Sequence, residues 1–346
     1  MALRIRSIEW KENKVIIVNQ LKLPTEIEYI ECTTPERVVE AIKNMEIRGA
    51  PAIGAAAAYA LALAAIRSNA KSRKEFLKEI YEVAEKLKST RPTAINLFWA
   101  INRVLKSAER AGESIEKIVM TIVDEAKKIA EEDIRANKLI GKHGAKLIED
   151  GDCILTHCNT GSLATVDYGT ALGIIRAAVE EGKKIHVYVT ETRPKLQGAR
   201  LTALELKYEN IPVTVICDGM VGYIMQEELV NKVFVGADRI LRMGHVINKI
   251  GTYTIAVLAK YHNIPFYVAA PTSTFDLKNS LDQIKIEERS PEEVAFCGNM
   301  RVVPEGVNIF NPAFDVTPPQ LITAIITEKG ILETPLDRAI AKMFNL

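Results

Sequence analysis

Apolar positions fall into two textures along the chain. The first thirty residues alternate and then run apolar at 15–18 and 27–30, which predicts short strands. Thr34 precedes Pro35 and Glu36, the order of an N-cap, a first-turn proline and a first-turn acid, so a helix is expected through Ile42. Residues 50–66 are mostly alanine, with Pro51, Gly54 and Tyr59 among them. They predict a buried helix, short of the roughly 20 strongly apolar residues that span a bilayer. Two or three amphipathic helices follow. The clearest covers about residues 115–147, with Ile115, Ile118, Val119, Ile122, Val123, Ala126 and Ile129 at helical spacing.

From about residue 150 the pattern changes to short apolar runs at 153–155, 185–189, 213–216, 233–235 and 266–269, most of them β-branched or aromatic. Helical segments separate several of these runs, and that alternation predicts a parallel, doubly wound sheet. The fold class expected is α/β, with an N-terminal small sheet plus helical bundle and a C-terminal doubly wound parallel sheet. The border falls near residues 135–150, giving domains 1–145 and 146–346.

Composition narrows the functional classes. With 346 residues, 48% of them hydrophobic and 26% charged, the chain has enough apolar material for about two ordinary domains. Forty-five basic against 44 acidic side chains leave a net charge of +1, so no general attraction to nucleic acid or an anionic membrane is expected. Any bound anion must be held by local geometry. Five scattered cysteines without a C-x-x-C fit neither a disulfide framework nor a zinc knuckle, and the N-terminus has no apolar signal core. A cytoplasmic location is expected.

In open parallel sheets ligands lie beyond the carboxyl ends of the strands. The residues just after the five runs are His157-Cys158-Asn159-Thr160-Gly161, Glu191-Thr192-Arg193-Pro194, Asp218-Gly219-Met220, Gly236-Ala237-Asp238-Arg239 and Pro271-Thr272-Ser273-Thr274. Each tip is small or polar, and most carry an acid, a base or a nucleophile; five together imply a site. Neither the dinucleotide fingerprint nor the P-loop occurs, which disfavours NAD and ATP. Phosphate has other candidate holders. Arg48-Gly49-Ala50-Pro51 places a cation and small residues ahead of a helix start, and Thr160-Gly161-Ser162 offers a similar nest before a helix expected from Leu163. Arg91 is a second cation in a turn. Taken alone, each reads first as a capped helix or a solvated arginine, and only second as a phosphate holder. Histidines 143, 157, 186, 245 and 262 show no ligand spacing, so no metal is expected. Cys158 reads as a thiol base or nucleophile, and as a buried small residue. Asp238 reads as an acid kept protonated, and as a helix cap.

Several longer motifs share one resemblance. Residues 47–54 (Ile-Arg-Gly-Ala-Pro-Ala-Ile-Gly), Thr90-Arg91-Pro92-Thr93 with Asn96 to Ala100, Thr156 to Gly161, Glu191 to Pro194 with Gln197 to Thr202, Gly236 to Ile240 and Asn248 to Tyr253 resemble the methylthioribose-1-phosphate isomerase family. That family shares its fold with the regulatory subunits of translation initiation factor 2B and with ribose-1,5-bisphosphate isomerase. The resemblance implies an N-terminal helical domain, a Rossmann-like C-terminal domain, a homodimer and a sugar-phosphate substrate; isomerisation of such a sugar is redox-neutral and no ligand cluster is evident, so no cofactor is expected. It implies Cys158 and Asp238 as catalytic residues, and Arg48, Gly49, Ala50, Arg91, Gln197, Asn248 and Lys249 as substrate-binding residues. Met243-Gly244-His245 departs from the family's pattern between the acid and the Asn-Lys pair, which puts substrate preference at that edge in question. An apolar wall from Leu97, Phe98 or Trp99 is a candidate for a methylthio group, with plain helix core as the alternative. Two rivals to the isomerase reading follow from the same resemblance: ribose-1,5-bisphosphate isomerase, and a non-catalytic regulatory subunit.

Overall fold

The computed structural model describes residues 5–91 and 94–346; Pro92 and Thr93 of the arginine turn, and residues 1–4, lie outside the described residues. The chain forms two compact units. A helical unit comprises Ile5–Lys138 and Gly161–Gly169, and a sheet unit comprises Leu139–Thr160 and Thr170–Leu346. The chain thus passes from one to the other inside a helix, after Lys138, and returns for one nine-residue excursion.

In the helical unit, β1 (Ile8–Lys11), β2 (Lys14–Val18) and β3 (Tyr29–Cys32) form an antiparallel sheet. Ile8 pairs with Ile17 and Val15 with Cys32, and all four are buried on its inner face. Helix α1 (Pro35–Lys43) begins as expected: the Thr34 side chain accepts from the Arg37 N–H, and Pro35 occupies the first turn. Helix α2 (Ala50–Arg67) is packed by α1, by α3 (Arg73–Thr90) and by α4 (Ile95–Arg110). Its alanines permit this, because a helix with short side chains on every face admits close neighbours all round. At Gly54 an added Cβ would lie 2.9 Å from the Asn96 carbonyl oxygen, which brings the first turns of α2 and α4 together. The long helix α5 (Ile115–Gly144) directs Ile118, Ile122, Ala126 and Ile129 into the same core. It ends in a single 3-10 turn, Ala145–Leu147.

The sheet unit begins with β4 (Cys153–Thr156), α6 (Ala171–Glu180), β5 (His186–Thr190), α7 (Ala203–Tyr208), β6 (Val213–Ile216), α8 (Val221–Gln226) and β7 (Lys232–Val235). Next come a hairpin of β8 (Arg239–Leu241) and β9 (Val246–Lys249), α9 (Thr252–Tyr261), β10 (Phe266–Ala269) and β11 (Phe275–Asp276). Helix α10 (Glu292–Ala295), β12 (Phe296–Cys297), β13 (Met300–Arg301), β14 (Phe314–Thr317), β15 (Ala324–Thr327), β16 (Gly330–Glu333) and α11 (Leu336–Phe344) complete it. The main sheet has the order β16-β15-β10-β7-β4-β5-β6, parallel except for β16. Both faces are covered, so the strands carry apolar side chains at consecutive positions. Leu155, Val233, Val235 and Val268 enter one core cluster, while Ile154, Phe234 and Ala269 enter the other.

The order of strands decides where chemistry can sit. β4, β5 and β6 step outward in one direction, and the next main-sheet strand, β7, then pairs with the opposite side of β4. The topological switch point therefore lies between the carboxyl ends of β4 and β7. A second sheet, of order β11-β8-β9-β14, follows directly from β7.

Candidate active site

Cys158 and Asp238 follow β4 and β7, the two strands that flank the switch point. Cys158 is 8% exposed and holds φ at 62°, a left-handed conformation that costs a non-glycine residue about 1–3 kcal/mol. Side-chain hydroxyls secure it on both sides: its N–H donates to Thr192 Oγ1 at 2.9 Å, and its carbonyl accepts from Thr202 Oγ1 at 2.7 Å. Thr192 is itself left-handed, with φ at 65°. The Asp218 carboxylate, at the tip of β6, accepts the N–H groups of Thr192 and Arg193 at 2.8 and 2.7 Å. The second and third tips are thus fastened to one another.

Beside Cys158, His157 is buried between two partners: Nδ1 lies 2.6 Å from Thr190 Oγ1, and Nε2 lies 2.9 Å from the Ile250 carbonyl. Burial pushes its pKa down to about 4, against the opposing pull of the Ile250 carbonyl, so the ring is neutral near pH 7. Asn159 donates to Thr202 Oγ1 at 3.2 Å and to Glu205 Oε1 at 2.8 Å. Glu205 in turn meets Arg176, which also holds Glu209, in a buried cluster under the Cys158 loop.

Gln197 stands at the start of a five-residue π-turn, Gly198–Thr202. A Cβ on Gly198 would lie 1.8 Å from the Thr190 carbonyl oxygen, so only glycine lets this turn settle onto the end of β5. The Gln197 side chain is buried, and its Oε1 has no protein partner among the described residues. That oxygen is a ready acceptor for a ligand hydroxyl.

Asp238 does not cap a helix: it leads into β8, and its N–H donates to the Ile247 carbonyl at 3.0 Å. The hairpin ladder places it beside Asn248. Asn248 Nδ2 donates to Thr252 Oγ1 at 3.0 Å. Lys249 is buried, donating from Nζ to the Ala313 carbonyl at 2.8 Å with its ammonium 4.4 Å from the Phe314 ring centre. The Met243-Gly244-His245 departure is the turn of this hairpin, at the end away from Asn248 and Lys249. There a Cβ on Gly244 would lie 2.8 Å from Leu336 Cβ. Gly244 is thus packed against α11.

One residue absent from the sequence reading belongs here. Asp315, on β14 opposite Asn248, accepts the N–H groups of Gly251 at 2.7 Å and Tyr253 at 3.1 Å, fixing the first turn of α9 just after Lys249. Burial pushes its pKa up to about 6, although these N–H groups and Lys249 act the other way. Its single-residue signal, an acid in an alternating run, has nothing local to set it apart. At the fifth tip, after the strand that pairs with β7, Thr272 is bound through its N–H and hydroxyl to Glu328.

The remaining candidates lie in the helical unit. Gly49, with φ at 101°, is the N-cap of α2 and Ala50 its first residue, so Arg48 stands directly ahead of a helix start. Arg91 is the C-cap of α3, and its carbonyl accepts from the Ala94 N–H at 3.1 Å, just before α4. No helix starts at Leu163. Ser162–Ala164 make one 3-10 turn, and α6 begins only at Ala171. This segment is instead anchored by distant partners, with Ser162 Oγ donating to the Ile5 carbonyl at 2.7 Å and Gln20 Nε2 to the Leu163 carbonyl at 2.7 Å. Leu97 is fully buried in the helical core, while Trp99 is exposed and carries Arg103 over its ring. Leu97 is therefore core, and the apolar-wall reading does not hold for it. Among the described residues no cluster of three metal-ligating side chains occurs.

Comparison with known proteins adds three observations. A profile of the Initiation factor 2 subunit family matches residues 46–334. A methylthioribose-1-phosphate isomerase of Thermosipho africanus is 53% identical over 346 residues, covering all of both chains. Two crystal structures align over nearly their whole length. The 5-methylthioribose 1-phosphate isomerase of Pyrococcus horikoshii has a TM-score of 0.92 at 48% identity, covering 98% of this chain and 96% of that one. A structure titled as the translation initiation factor eIF-2B delta subunit of A. fulgidus has a TM-score of 0.88 at 49% identity, covering 99% and 100%.

Proposed function

Since the chain belongs to the Initiation factor 2 subunit family, we propose that it is the aldose–ketose isomerase that converts 5-methylthioribose 1-phosphate to 5-methylthioribulose 1-phosphate, a reaction of methionine salvage. The observation that carries this reading is that Cys158 and Asp238 follow the carboxyl ends of the neighbouring strands β4 and β7, which flank the switch point. The 53% identity over the full length of an isomerase supports it.

The chemistry asks for those two side chains. Phosphate on the anomeric oxygen locks the sugar ring, so the ring opens only if its oxygen is protonated. Hydrogen then leaves C2 for C1, the C2 hydroxyl gives up its proton, and C2 becomes the ketone carbon. In sum, one hydrogen moves from C2 to C1 and one proton from the C2 hydroxyl to the former ring oxygen. Asp238 supplies the proton to the ring oxygen, and Cys158 serves the transfer at C1 and C2. The phosphate is assigned to Arg48, Arg91 and the backbone N–H groups at Gly49 and Ala50. Gln197 and Asn248 take sugar hydroxyls, and Lys249 takes a hydroxyl or the phosphate. The reaction is redox-neutral and so calls for no redox cofactor.

The active form is a homodimer. An exposed apolar stripe supports this: Tyr253, Val257 and Tyr261 at helical spacing on α9, with Tyr223 on the adjoining α8. Five free cysteines support a reducing, cytoplasmic location. A net charge of +1 supports a small-molecule partner over nucleic acid or an anionic membrane.

The likeness to the A. fulgidus eIF-2B delta subunit structure favours a second reading, a non-catalytic regulatory subunit. A substrate panel separates the alternatives. Purified protein is given 5-methylthioribose 1-phosphate, 5-deoxyribose 1-phosphate, ribose 1-phosphate and ribose 1,5-bisphosphate, and ketose formation is followed. The methylthio sugar should react fastest, with the deoxy sugar within about 10 to 200-fold, the range of small apolar differences. Fastest turnover of the bisphosphate would replace the assignment with a pentose-bisphosphate isomerase. No turnover of any sugar, together with capture of initiation factor 2 subunits, would favour the regulatory reading.

A further inference from the structure

The partners of His157 fix its protons. The Ile250 carbonyl oxygen carries no hydrogen, so the Nε2 atom 2.9 Å away must donate to it. In a neutral ring the other nitrogen then accepts, and Thr190 Oγ1, 2.6 Å from Nδ1, must be the donor. Having spent its proton there, the Thr190 hydroxyl receives from Thr192 Oγ1 at 3.2 Å; the Thr192 proton is shared with the Thr190 carbonyl, also at 3.2 Å. Thr192 Oγ1 accepts from the Cys158 N–H at 2.9 Å. The result is one directed chain of hydrogen bonds: Cys158 N–H to Thr192, Thr192 to Thr190, Thr190 to His157, and His157 to Ile250.

Both ends of this chain are candidate site residues or their immediate neighbours. Ile250 follows Lys249, and its own N–H donates to the Ala313 carbonyl at 3.1 Å. Gly251 lies so near the imidazole that an added Cβ would sit 3.1 Å from His157 Cε1. At the other end is a cysteine in a left-handed conformation that no local preference sustains. From these contacts we propose that His157 is a positioning residue of the isomerisation: acting through Thr190 and Thr192, it holds Cys158 in register with the Asn248-Lys249 strand end. It touches no reacting atom and transfers no proton during turnover.

This rests on the isomerase reading, so the test uses one readout that needs activity and one that does not. Thr190→Val removes the hydroxyl and keeps the shape; Thr190→Ser keeps the hydroxyl and removes a buried methyl. In Thr190→Val, kcat should fall at least about tenfold with KM within about threefold, since a displacement near 1 Å at a reacting group costs on the order of a hundredfold. Thr190→Ser should recover most of that loss, and His157→Asn, which offers an acceptor near Nδ1 but cannot reach Ile250, should resemble Thr190→Val. The rate of Cys158 alkylation by iodoacetamide, measured by peptide mass spectrometry against exposed Cys297, should change at least about threefold in Thr190→Val and return in Thr190→Ser. A merely structural role predicts the opposite order, because Ser loses the buried methyl. Unchanged kcat and unchanged Cys158 alkylation in Thr190→Val would overturn the proposal, as would equal effects of Val and Ser. If the parent protein isomerises no sugar phosphate, the functional reading fails, and the alkylation series alone decides whether the chain positions Cys158.

Discussion

Gly49 and Ala164 lie backbone against backbone: a Cβ built on Gly49 would fall 2.2 Å from the Ala164 carbonyl oxygen and 2.4 Å from its Cα. Neither atom belongs to a flexible side chain that could give way, and the φ of 101° at Gly49 already disfavours any L-residue. Gly49→Ala should therefore cost at least about 2 kcal/mol, combining strain at that φ with overpacking. Urea unfolding followed by far-UV circular dichroism checks it. Because Gly49 is the N-cap of α2, the KM for the sugar phosphate should rise as well.

Cys158→Ser and Asp238→Asn should each cut turnover by at least about a hundredfold, the scale of losing an acid or base, with far smaller changes in affinity. Arg48→Ala and Arg91→Ala should show the converse, since each takes a charge-assisted partner from the phosphate. Steady-state kinetics and calorimetric titration with product distinguish the two classes. A near-parental rate in either of the first pair removes that residue from the mechanism.

Arg176 is almost wholly enclosed, holding Glu205 at 2.7 Å and Glu209 at 2.6 Å. Arg176→Met would strand two carboxylates without a counter-charge, so a loss of about 3–5 kcal/mol is expected. Glu205 also receives Asn159, next to Cys158. The same variant should thus lower kcat in molecules that remain folded, measurable below the unfolding transition.

Asp133 on α5 accepts the Val166 N–H at 2.8 Å, and burial pushes its pKa up to about 7 from an ordinary 3.8. Val166 and Asn137 oppose that rise and Asp167 adds to it. With the folded pKa above the unfolded one, the folded protein binds the extra proton. This contribution is full below about pH 4, declines as pH rises through 7, and is flat beyond. Asp133→Asn should flatten the dependence of stability on pH across that window, as thermal melts at half-unit intervals would reveal. An unchanged slope would mean Asp133 ionises normally.

The features legible in the sequence are those with a local cause. Thr34 caps α1 because a hydroxyl there meets an N–H three residues on, and α2 is buried because its alanines allow it. The apolar runs from 153 to 269 became β4, β5, β6, β7 and β10, each within a residue or so. Features set by distant partners were hidden. The helix expected from Leu163 gives way to a segment held by Ser7, Gln20 and Asp133, none within 25 residues of it. The sheet of β8, β9, β11 and β14 is not announced because β8 and β11 have only three and two residues, while β9 and β14 mix polar residues among the apolar ones. Asp238 looked like a helix cap for the same reason: the strand after it has only three residues to announce itself. Strand-tip reading did collect Cys158 and Asp238, but the adjacency of their strands depends on pairing order, which no local pattern encodes.

The nine-residue excursion of Gly161–Gly169 makes the two units inseparable by any single cut. A fragment ending at Lys138 would lack the backbone that Gly49 packs on and the Val166 N–H that Asp133 holds. A fragment starting at Leu139 would carry that same stretch as an orphan a few residues beyond Cys158. Gene fission at the apparent border would leave one part missing a piece that only the other encodes, and domain exchange with a relative would join residues 5–138 of one parent to the 161–169 segment of the other. The segment just past Cys158 is why neither stretch of chain is complete on its own.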